Sequence, residues 1–588
     1  MTIRTAGEHT FVTHDGEALF YRHWPAAAAG SCRGAVLLFH RGHEHSARIA
    51  HLVDELDMPG HAFFAWDARG HGHSPGERGY SPSATASVRD VQSFAEHIRD
   101  TYGIAIEDMT VIGQSVGAVL AAAWVHDYAP PLRALVLAAP AFRIKLYVPL
   151  ALPGLRLMHK LRGRFFVNSY VKPRLLTHDP ERIASYTTDP LIARAIAVNM
   201  LLDLHDMARR VVADAAAIKV PTQVLISGAD WVVHRQPQDQ FYERLSSARK
   251  ERIVLDGFHH DTLGELERAR AIAPVRAFVM REYDAPGAPV SLLDAHERGP
   301  FHDEFAALKK APQPLKGAYW ALVRGGLRLS SWFSSGIALG FERGFDSGSS
   351  LDYVYRNRAE GRSPLGRLID RNYLDSIGWR GIRQRKIHIE ALIADAIARL
   401  RKEGQPVRIV DIAAGHGRYV LDAIGAAALS RAGIEHILLR DYSPPNVEAG
   451  RALIIQKGFG AKARFEQGDA FDAEALAALD PRPNLAIVSG LYELFSDNAM
   501  IRASLGGLAR SVAPGGYLVY TGQPWHPQLE FIARTLKNHR GEAAWVMRRR
   551  SQAELDELVA SAGFRKIAQR IDEWGIFTVS VAQRVTDA

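Results

Sequence analysis

Two successive α/β units, each with a largely parallel sheet, are what this 588-residue sequence predicts. Three observations lead there. Continuous apolar runs such as Gly34-Ala-Val-Leu-Leu-Phe39 and His61-Ala-Phe-Phe-Ala-Trp66 read as strands covered on both faces. Such runs alternate with helical stretches twice, up to about residue 284 and again from about residue 375. Each series also holds one glycine-rich turn between a strand and a helix, Gly113-Gln-Ser115-Val-Gly117 in the first and Asp411-Ile-Ala-Ala-Gly415-His-Gly417 in the second. A chain of this length exceeds what one core supports, so two large domains are expected.

Composition narrows the class. The chain is 47% hydrophobic and 23% charged, with no low-complexity tract, as folded globular proteins are. A net charge of +8, mostly from Arg, favours anionic surfaces such as phospholipid but falls short of a nucleic-acid footprint. Cys32 is the one cysteine, which excludes an internal disulfide framework and any cysteine-cluster zinc site. Residues 1–9 contain no apolar h-region, so no secretory signal is expected. No uncharged apolar run reaches the ~20 residues that span a bilayer; Ala318–Gly340 is interrupted by Arg324 and Arg328. The expected location is cytoplasmic, with peripheral membrane contact left open.

In chain order, Thr10–Trp24 reads as a hairpin turning at Asp15-Gly16. The strand at 34–39 ends in His40-Arg-Gly42-His-Glu44-His-Ser46, and the strand at 61–66 in Asp67-Ala-Arg69-Gly-His-Gly-His-Ser74. A helix near Ser87–Tyr102 leads to a strand at Met109–Ile112 and then to Ser115, with a helix from Ala118 behind it. Strand, Gly-x-Ser-x-Gly, helix is the setting of a nucleophile elbow, in which the serine is lifted above the sheet edge and the helix N-terminus offers free N–H groups. The alternative is an ordinary N-cap serine. Further strands are expected at 133–138, at 221–227 before Asp230, and at 252–255 before His259 and His260.

These motifs resemble the α/β-hydrolases, and within them the monoacylglycerol lipase and lysophospholipase branch. The match lies in His-x-Gly-x-Glu-His-Ser, Asp-x-Arg-Gly-His-Gly-x-Ser and Gly-x-Ser-x-Gly, in that order, and covers residues 10–283. It implies a Ser115–Asp230–His260 triad, with His260 preferred over His259, and an oxyanion hole from the backbone of Gly42 and Val116. It also implies a lid at about 141–217, whose mixture of long apolar, Lys and Arg side chains suits either an acyl tunnel resting on lipid or ordinary packing. Arg41 departs from the family's glycine and is expected to narrow the pocket or add charge at its mouth. Asp67, Arg69 and Glu44 read as structural, and His43, His45, His71 and His73 as loop histidines rather than metal ligands.

A Pro/Gly break at 284–290 closes the first domain, and residues 285–374 read as a linker with an amphipathic helix near 317–333. A helix at 380–400 then precedes Val407–Asp411 and its glycine turn, which brings backbone close to a ligand. An NAD fingerprint wants glycine at 420, where Val420 stands. Strands follow at 436–441, 463–467, 485–489 and 517–521, then a helix from Ser551 and strands at 564–571 and 574–582.

Residues 375–588 resemble a class I S-adenosylmethionine-dependent methyltransferase of Rossmann-like fold with a reversed last strand. The resemblance implies S-adenosyl-L-methionine as cofactor, held by Asp411, Gly415, Gly417, Asp441, Asp469, Ala470 and Ser489. The methyl acceptor is open. With no cysteine in this half and no Asn-Pro-Pro-Tyr, base methylation is not expected; Tyr492, Glu493 and His526 are candidates for the acceptor pocket, each with packing as its alternative. The whole chain reads as an ester hydrolase of the monoacylglycerol or lysophospholipid type fused to a methyltransferase. A triad-bearing acyltransferase and an inactive hydrolase-fold scaffold are the rivals.

Overall fold

The computed structural model describes residues 4–27, 32–169, 171–288, 290–426, 433–541 and 544–585. The chain forms two compact units, Met1–Val290 and Ser291–Ala588.

In the first unit β1 (Gly7–Val12) and β2 (Ala18–Trp24) form the expected hairpin, with Gly16 at φ +90° in its turn. They are followed by β3 (Ala35–Phe39), β4 (Ala62–Trp66), β5 (Met109–Gln114) and β6 (Ala134–Ala138). An insert carries the short antiparallel pair β7 (Phe166–Asn168) and β8 (Ala195–Ala197), and the sheet resumes with β9 (Thr222–Ser227) and β10 (Lys250–Leu255). The main sheet runs β1-β2-β4-β3-β5-β6-β9-β10, antiparallel at its first two pairings and parallel beyond. Every residue of β3 to β6 is buried, which explains the unbroken apolar runs. Val36, Leu38, Phe63, Ile112 and Val136 share one core cluster with Ala271, Val275 and Phe278 of the helix Ala269–Asp284. The parallel arrangement directs the loops after β3, β5, β9 and β10 to one end of the sheet, and that is where the candidate residues stand.

The second unit holds β11 (Val407–Asp411), β12 (Ile434–Asp441), β13 (Ala463–Gln467), β14 (Leu485–Val488), β15 (Tyr517–Gly522), β16 (Phe564–Ile571) and β17 (Thr578–Arg584). Their order is β13-β12-β11-β14-β15-β17-β16, and β17 is antiparallel to both neighbours. A 26-residue helix, Ile377–Lys402, buries Ile389, Ile393, Ala396 and Leu400 in the cluster that includes Val407 and Ile409 of β11.

The stretch 285–374, expected as a linker and helical connector, is packed helical structure. Helices Pro300–Lys309, Pro314–Ser330, Ser335–Arg343, Gly348–Arg356 and Pro364–Leu374 occupy it, and Leu308, Ile337, Phe345, Tyr353 and Leu374 join one core with Trp379, Ile382, Trp545 and Phe577. Each helix is short, and its apolar stripe finds a partner far along the chain, which local periodicity does not reveal. Among the described residues no helix is long and apolar enough to cross a membrane.

Candidate functional site

Ser115 sits between β5 and the helix Val116–Tyr128 at φ 54°, ψ −112°, a backbone conformation that costs a non-glycine residue about 1–3 kcal/mol. Close packing enforces it. A Cβ on Gly117 would stand 2.5 Å from the carbonyl oxygen of His40, and one on Gly113 2.8 Å from Cα of Ala118. The turn is therefore closed to side chains at both glycines, which fixes the backbone that carries Ser115.

Ser115 Oγ lies 2.7 Å from Nε2 of His260, and Nδ1 of His260 lies 2.8 Å from Oδ2 of Asp230. Asp230 Oδ1 accepts the N–H groups of Val232 and Val233 at 2.7 and 2.9 Å. Burial alone would raise this carboxyl, but the His260 imidazole and the two amides hold it below the ordinary carboxylate range. His259 points elsewhere, its ring tilted against that of His178 with centroids 3.9 Å apart and its backbone N–H donated to Glu265. Gly42 and Val116 are adjacent, since a Cβ on Gly42 would meet Cγ2 of Val116 at 3.0 Å. Val116 also opens its helix, where first-turn amides have no intrahelical partner.

Arg41 neither narrows the site nor charges its mouth. Its buried guanidinium donates to Glu44 Oε2 at 2.7 Å and lies 3.7 Å from Asp261, whose other contacts are Gln114 Nε2 and Arg182 Nε, each at 2.9 Å. Burial opposes ionisation of Asp261 and Glu44, yet Arg41 and Arg182 hold both carboxyls low. This network joins the loop after β3, the residue before Ser115, the residue after His260 and Arg182 of the insert. Nothing in the motifs marks Asp261 or Arg182 as partners; only the folded loops bring them together. Asp67 ties loops in the same manner, accepting N–H groups of Ser46 and His73 at 2.6 and 2.8 Å, and Arg69 pairs with Asp90. Ser115 itself is only 5% exposed. Val116 and the insert residues Leu146, Leu152 and Leu201 enclose a cavity of about 20 Å³ beside it.

The second unit carries a cavity of about 740 Å³ at the ends of β11, β12 and β14, lined by Gly415, Asp441, Asp469, Ala470 and Ser489 among others. Asp441 Oδ2 accepts the Gly415 N–H at 2.9 Å, and Oδ1 accepts Ser443 N–H and Asn446 Nδ2 at 2.9 and 3.0 Å. Gly415 has φ +58°, and a Cβ there would meet Cα of Gly348 at 3.5 Å. Nε2 of His416, which also lines the cavity, is buried with no partner among the described residues.

Two residues expected at this cavity do not line it. Asp411 is fully buried beneath the turn, accepting the Tyr419 hydroxyl on Oδ2 and the Ala413 N–H on Oδ1 at 3.1 Å. Burial, with Asp441 nearby, pushes its pKa up to about 7. Gly417 faces inward, where a Cβ would stand 2.4 Å from Cδ1 of Leu439. Both shape the turn from below, because the strand-end side chain alternates into the core and the second glycine makes room for β12.

A further cavity of about 350 Å³ adjoins the first and shares Asp346, Leu351, Arg385, Gly490 and Leu494 with it. Glu493 and His526 line this smaller cavity, whereas Tyr492 turns into the core and pairs its hydroxyl with Ser504 at 3.0 Å.

The fold and the two sites define a hydrolase-like unit followed by a methyltransferase-like unit. Residues 30–267 match the family model described as serine aminopeptidase, S33, and residues 275–584 match the one described as "Putative methyltransferase". The latter spans more than half of the chain, which belongs to that family. Across 583 residues the chain is 57% identical to YnbC of Escherichia coli (strain K12), covering 99% of each. It is 26% identical over 287 residues to a monoacylglycerol lipase of Mycolicibacterium smegmatis, covering 48% of this chain and 99% of that one. Among solved structures, the monoacylglycerol lipase of Paleococcus ferrophilus aligns at TM-score 0.40 with 21% identity over 47% of this chain and 99% of that one. The first unit is thus a hydrolase domain related to monoacylglycerol lipases, and the α/β-hydrolase fold expected for it is present.

Proposed function

We propose that the chain is a two-headed enzyme, a serine ester hydrolase for monoacylglycerol-like or lysophospholipid-like substrates joined to an S-adenosylmethionine-dependent methyltransferase. The observation that supports the first activity best is the continuous Ser115–His260–Asp230 relay. In it, His260 Nε2 takes the Ser115 proton as Oγ bonds to the ester carbonyl carbon. Asp230 fixes the imidazole tautomer and stabilises the imidazolium that forms. Backbone N–H groups of Val116 and Gly42 hold the oxyanion. His260 then returns the proton to the departing alcohol, and water repeats the sequence to release the acid. The restricted space around Ser115 calls for the insert to move before an acyl chain enters. Exposed Leu157, Met158 and Leu161 share the insert helix Ala151–Arg162 with Arg156, Lys160 and Arg162, which supports opening against an anionic lipid surface.

S-adenosylmethionine fits the larger cavity of the second unit. The Asp441 carboxylate at the end of β12 suits the two ribose hydroxyls, the Asp469–Ala470 loop the adenine, and the unpartnered His416 Nε2 a further polar atom. The Gly415 turn lets backbone approach the amino-acid moiety. Bound there, the cofactor supplies a methyl group on sulfonium; the residues of the chain bind it and exclude water.

A fluorophosphonate probe tests the first head, with labelling of Ser115 in the full chain expected and none in Ser115→Ala. Equal labelling of both overturns the assignment. Calorimetry with S-adenosylhomocysteine tests the second, and absence of binding by the full chain overturns it.

A further inference from the structure

The smaller cavity of the second unit is lined by residues that no motif marks. Phe345, Trp379, Phe531, Trp545, Met547 and Phe577 are among the side chains of its wall, drawn from four separated stretches of the chain. Its volume of about 350 Å³ lies near the lower end of small-molecule sites, room for one compact ring system rather than a two-chain lipid. Its polar lining includes Asn372, Gln523, His526 and Gln528; Asp346 and Arg385 also line the cofactor-sized cavity, and Glu493 stands beside Arg385. Glu493, buried at 8% exposure, accepts the Thr521 hydroxyl on Oε1 at 2.8 Å, while Oε2 is buried with no partner among the described residues. Arg385 lies 3.5 Å from Oε1, packs its guanidinium over Phe577 at 5.1 Å, and has Nε likewise buried without a partner. A buried polar atom left unpaired costs about 1–3 kcal/mol, so an acceptor, Glu493 Oε2, and a donor, Arg385 Nε, left unpaired on one rim point to a ligand that satisfies them.

His526 is not the base. Its Nδ1 accepts the Gln528 N–H at 3.0 Å, and burial, then Arg549, pushes its pKa down to about 4. The neutral ring therefore carries its proton on Nε2 and acts as a donor.

We propose that this cavity is the methyl-acceptor site and that the acceptor is a neutral hydroxyl group on a compact, apolar, ring-bearing body. The proposal rests on the methyltransferase reading above. A hydroxyl offers a hydrogen to Glu493 Oε2 and keeps a lone pair for the methyl group, with no charge brought into aromatic walls. A carboxylate has no hydrogen to give and faces Glu493, and a cationic ammonium has no lone pair and loses its hydration among apolar side chains. In the reaction the O–H proton passes to Glu493 Oε2. The oxygen lone pair forms the new C–O bond while the S–CH₃ bond breaks and its electron pair stays on sulfur. The products are a methyl ether, the thioether form of the cofactor and one proton on Glu493.

The test uses the full chain saturated with S-adenosylhomocysteine and three matched probes, 2-naphthol, 2-naphthoate and the cationic 2-naphthylmethylammonium, titrated by calorimetry. Naphthol is expected to bind at least about ten-fold more tightly than either analogue, since each leaves a buried polar group mismatched. Equal or tighter binding of naphthoate or naphthylmethylammonium overturns the proposal. Glu493→Gln is expected to lower labelled-methyl transfer to naphthol on the order of 100-fold while leaving S-adenosylhomocysteine affinity unchanged, as loss of a general base does. Undiminished transfer overturns it. Should Glu493→Gln fail to fold, Ile532→Trp, which fills the cavity from its wall, is expected to abolish naphthol binding and retain S-adenosylhomocysteine; retained naphthol binding overturns the site. If wild-type chain does not bind S-adenosylhomocysteine at all, the methyltransferase reading fails, which is a separate result from binding of that ligand without naphthol.

Discussion

Asp230 and Asp411 are both buried carboxylates at the carboxyl ends of parallel strands, and burial acts on them with the same sign. They differ in what stands beside them. Asp230 has His260 and two amides and stays low, whereas the hydrogen-bond partners of Asp411 are a phenol and one amide, and it rises to about 7. The contrast extends to the sites around them. In the first unit Ser115, His260 and Asp230 already touch and satisfy one another. In the second, His416 Nε2, Glu493 Oε2 and Arg385 Nε are buried with no partner among the described residues, so the side chains there do not satisfy one another.

The sharpest break of this comparison is Ser115→Ala. If the first site is complete in the chain, removing its nucleophile lowers kcat for a medium-chain p-nitrophenyl ester on the order of 10⁶-fold with the fold intact. Near-normal turnover by that variant removes the distinction between the units.

Next in size is the pH response of the second unit. Because folding raises the Asp411 pKa above its unfolded value, its contribution to stability is fully present below about pH 4 and is lost as pH rises through about 7. The second unit should lose roughly 2–4 kcal/mol across that window, and Asp411→Asn should flatten the loss. Calorimetric melting of the full chain, with the second unit identified by its response to S-adenosylhomocysteine, measures both. An unchanged slope in the variant places the proton elsewhere.

How much was legible follows the same division. Reactive side chains sit in motifs because their spacing is tied to turns, so Ser115, Asp230 and His260 were readable and the structure aligns them. Asp441 and Gly415 were readable for the same reason. The orientation of Asp411 and Gly417 was not readable, because a strand-end acid and a glycine pair do not reveal which way each faces; here β11 sends Asp411 into the core, and Leu439 takes the space beneath Gly417. Of the smaller cavity, Glu493 and His526 were singled out in the sequence, but its apolar wall was not legible. Its wall is ordinary apolar sequence from helices read as a linker and from loops after β15, and no local pattern records that Phe345 and Trp545 meet.

A smaller effect is expected at Asp441, which presents acceptor oxygens to a ligand but also holds the Gly415 and Ser443 amides. Asp441→Ala should weaken S-adenosylhomocysteine binding about 30-fold, or about 2 kcal/mol, the worth of one or two hydrogen bonds to a charged group. Unchanged affinity by calorimetry removes the carboxylate from the site.

The smallest expected effect concerns access to the site that is otherwise complete. Ser115 is 5% exposed while Leu157 and Leu161, on the insert helix, are 58% and 74% exposed beside Arg156, Lys160 and Arg162. A triad already assembled cannot be controlled by assembly, so control falls to the insert, and a lipid surface that covers those leucines favours its displacement. Replacing both with Ser forfeits part of the ~1.5–3 kcal/mol that burial of each would contribute, so hydrolysis of a monoacylglycerol in anionic vesicles should fall about ten-fold. Turnover of a water-soluble short-chain ester should stay as it is, since neither leucine touches the relay. An equal loss on both substrates would mean that the leucines act on the packing of the insert, and the surface role would then be wrong.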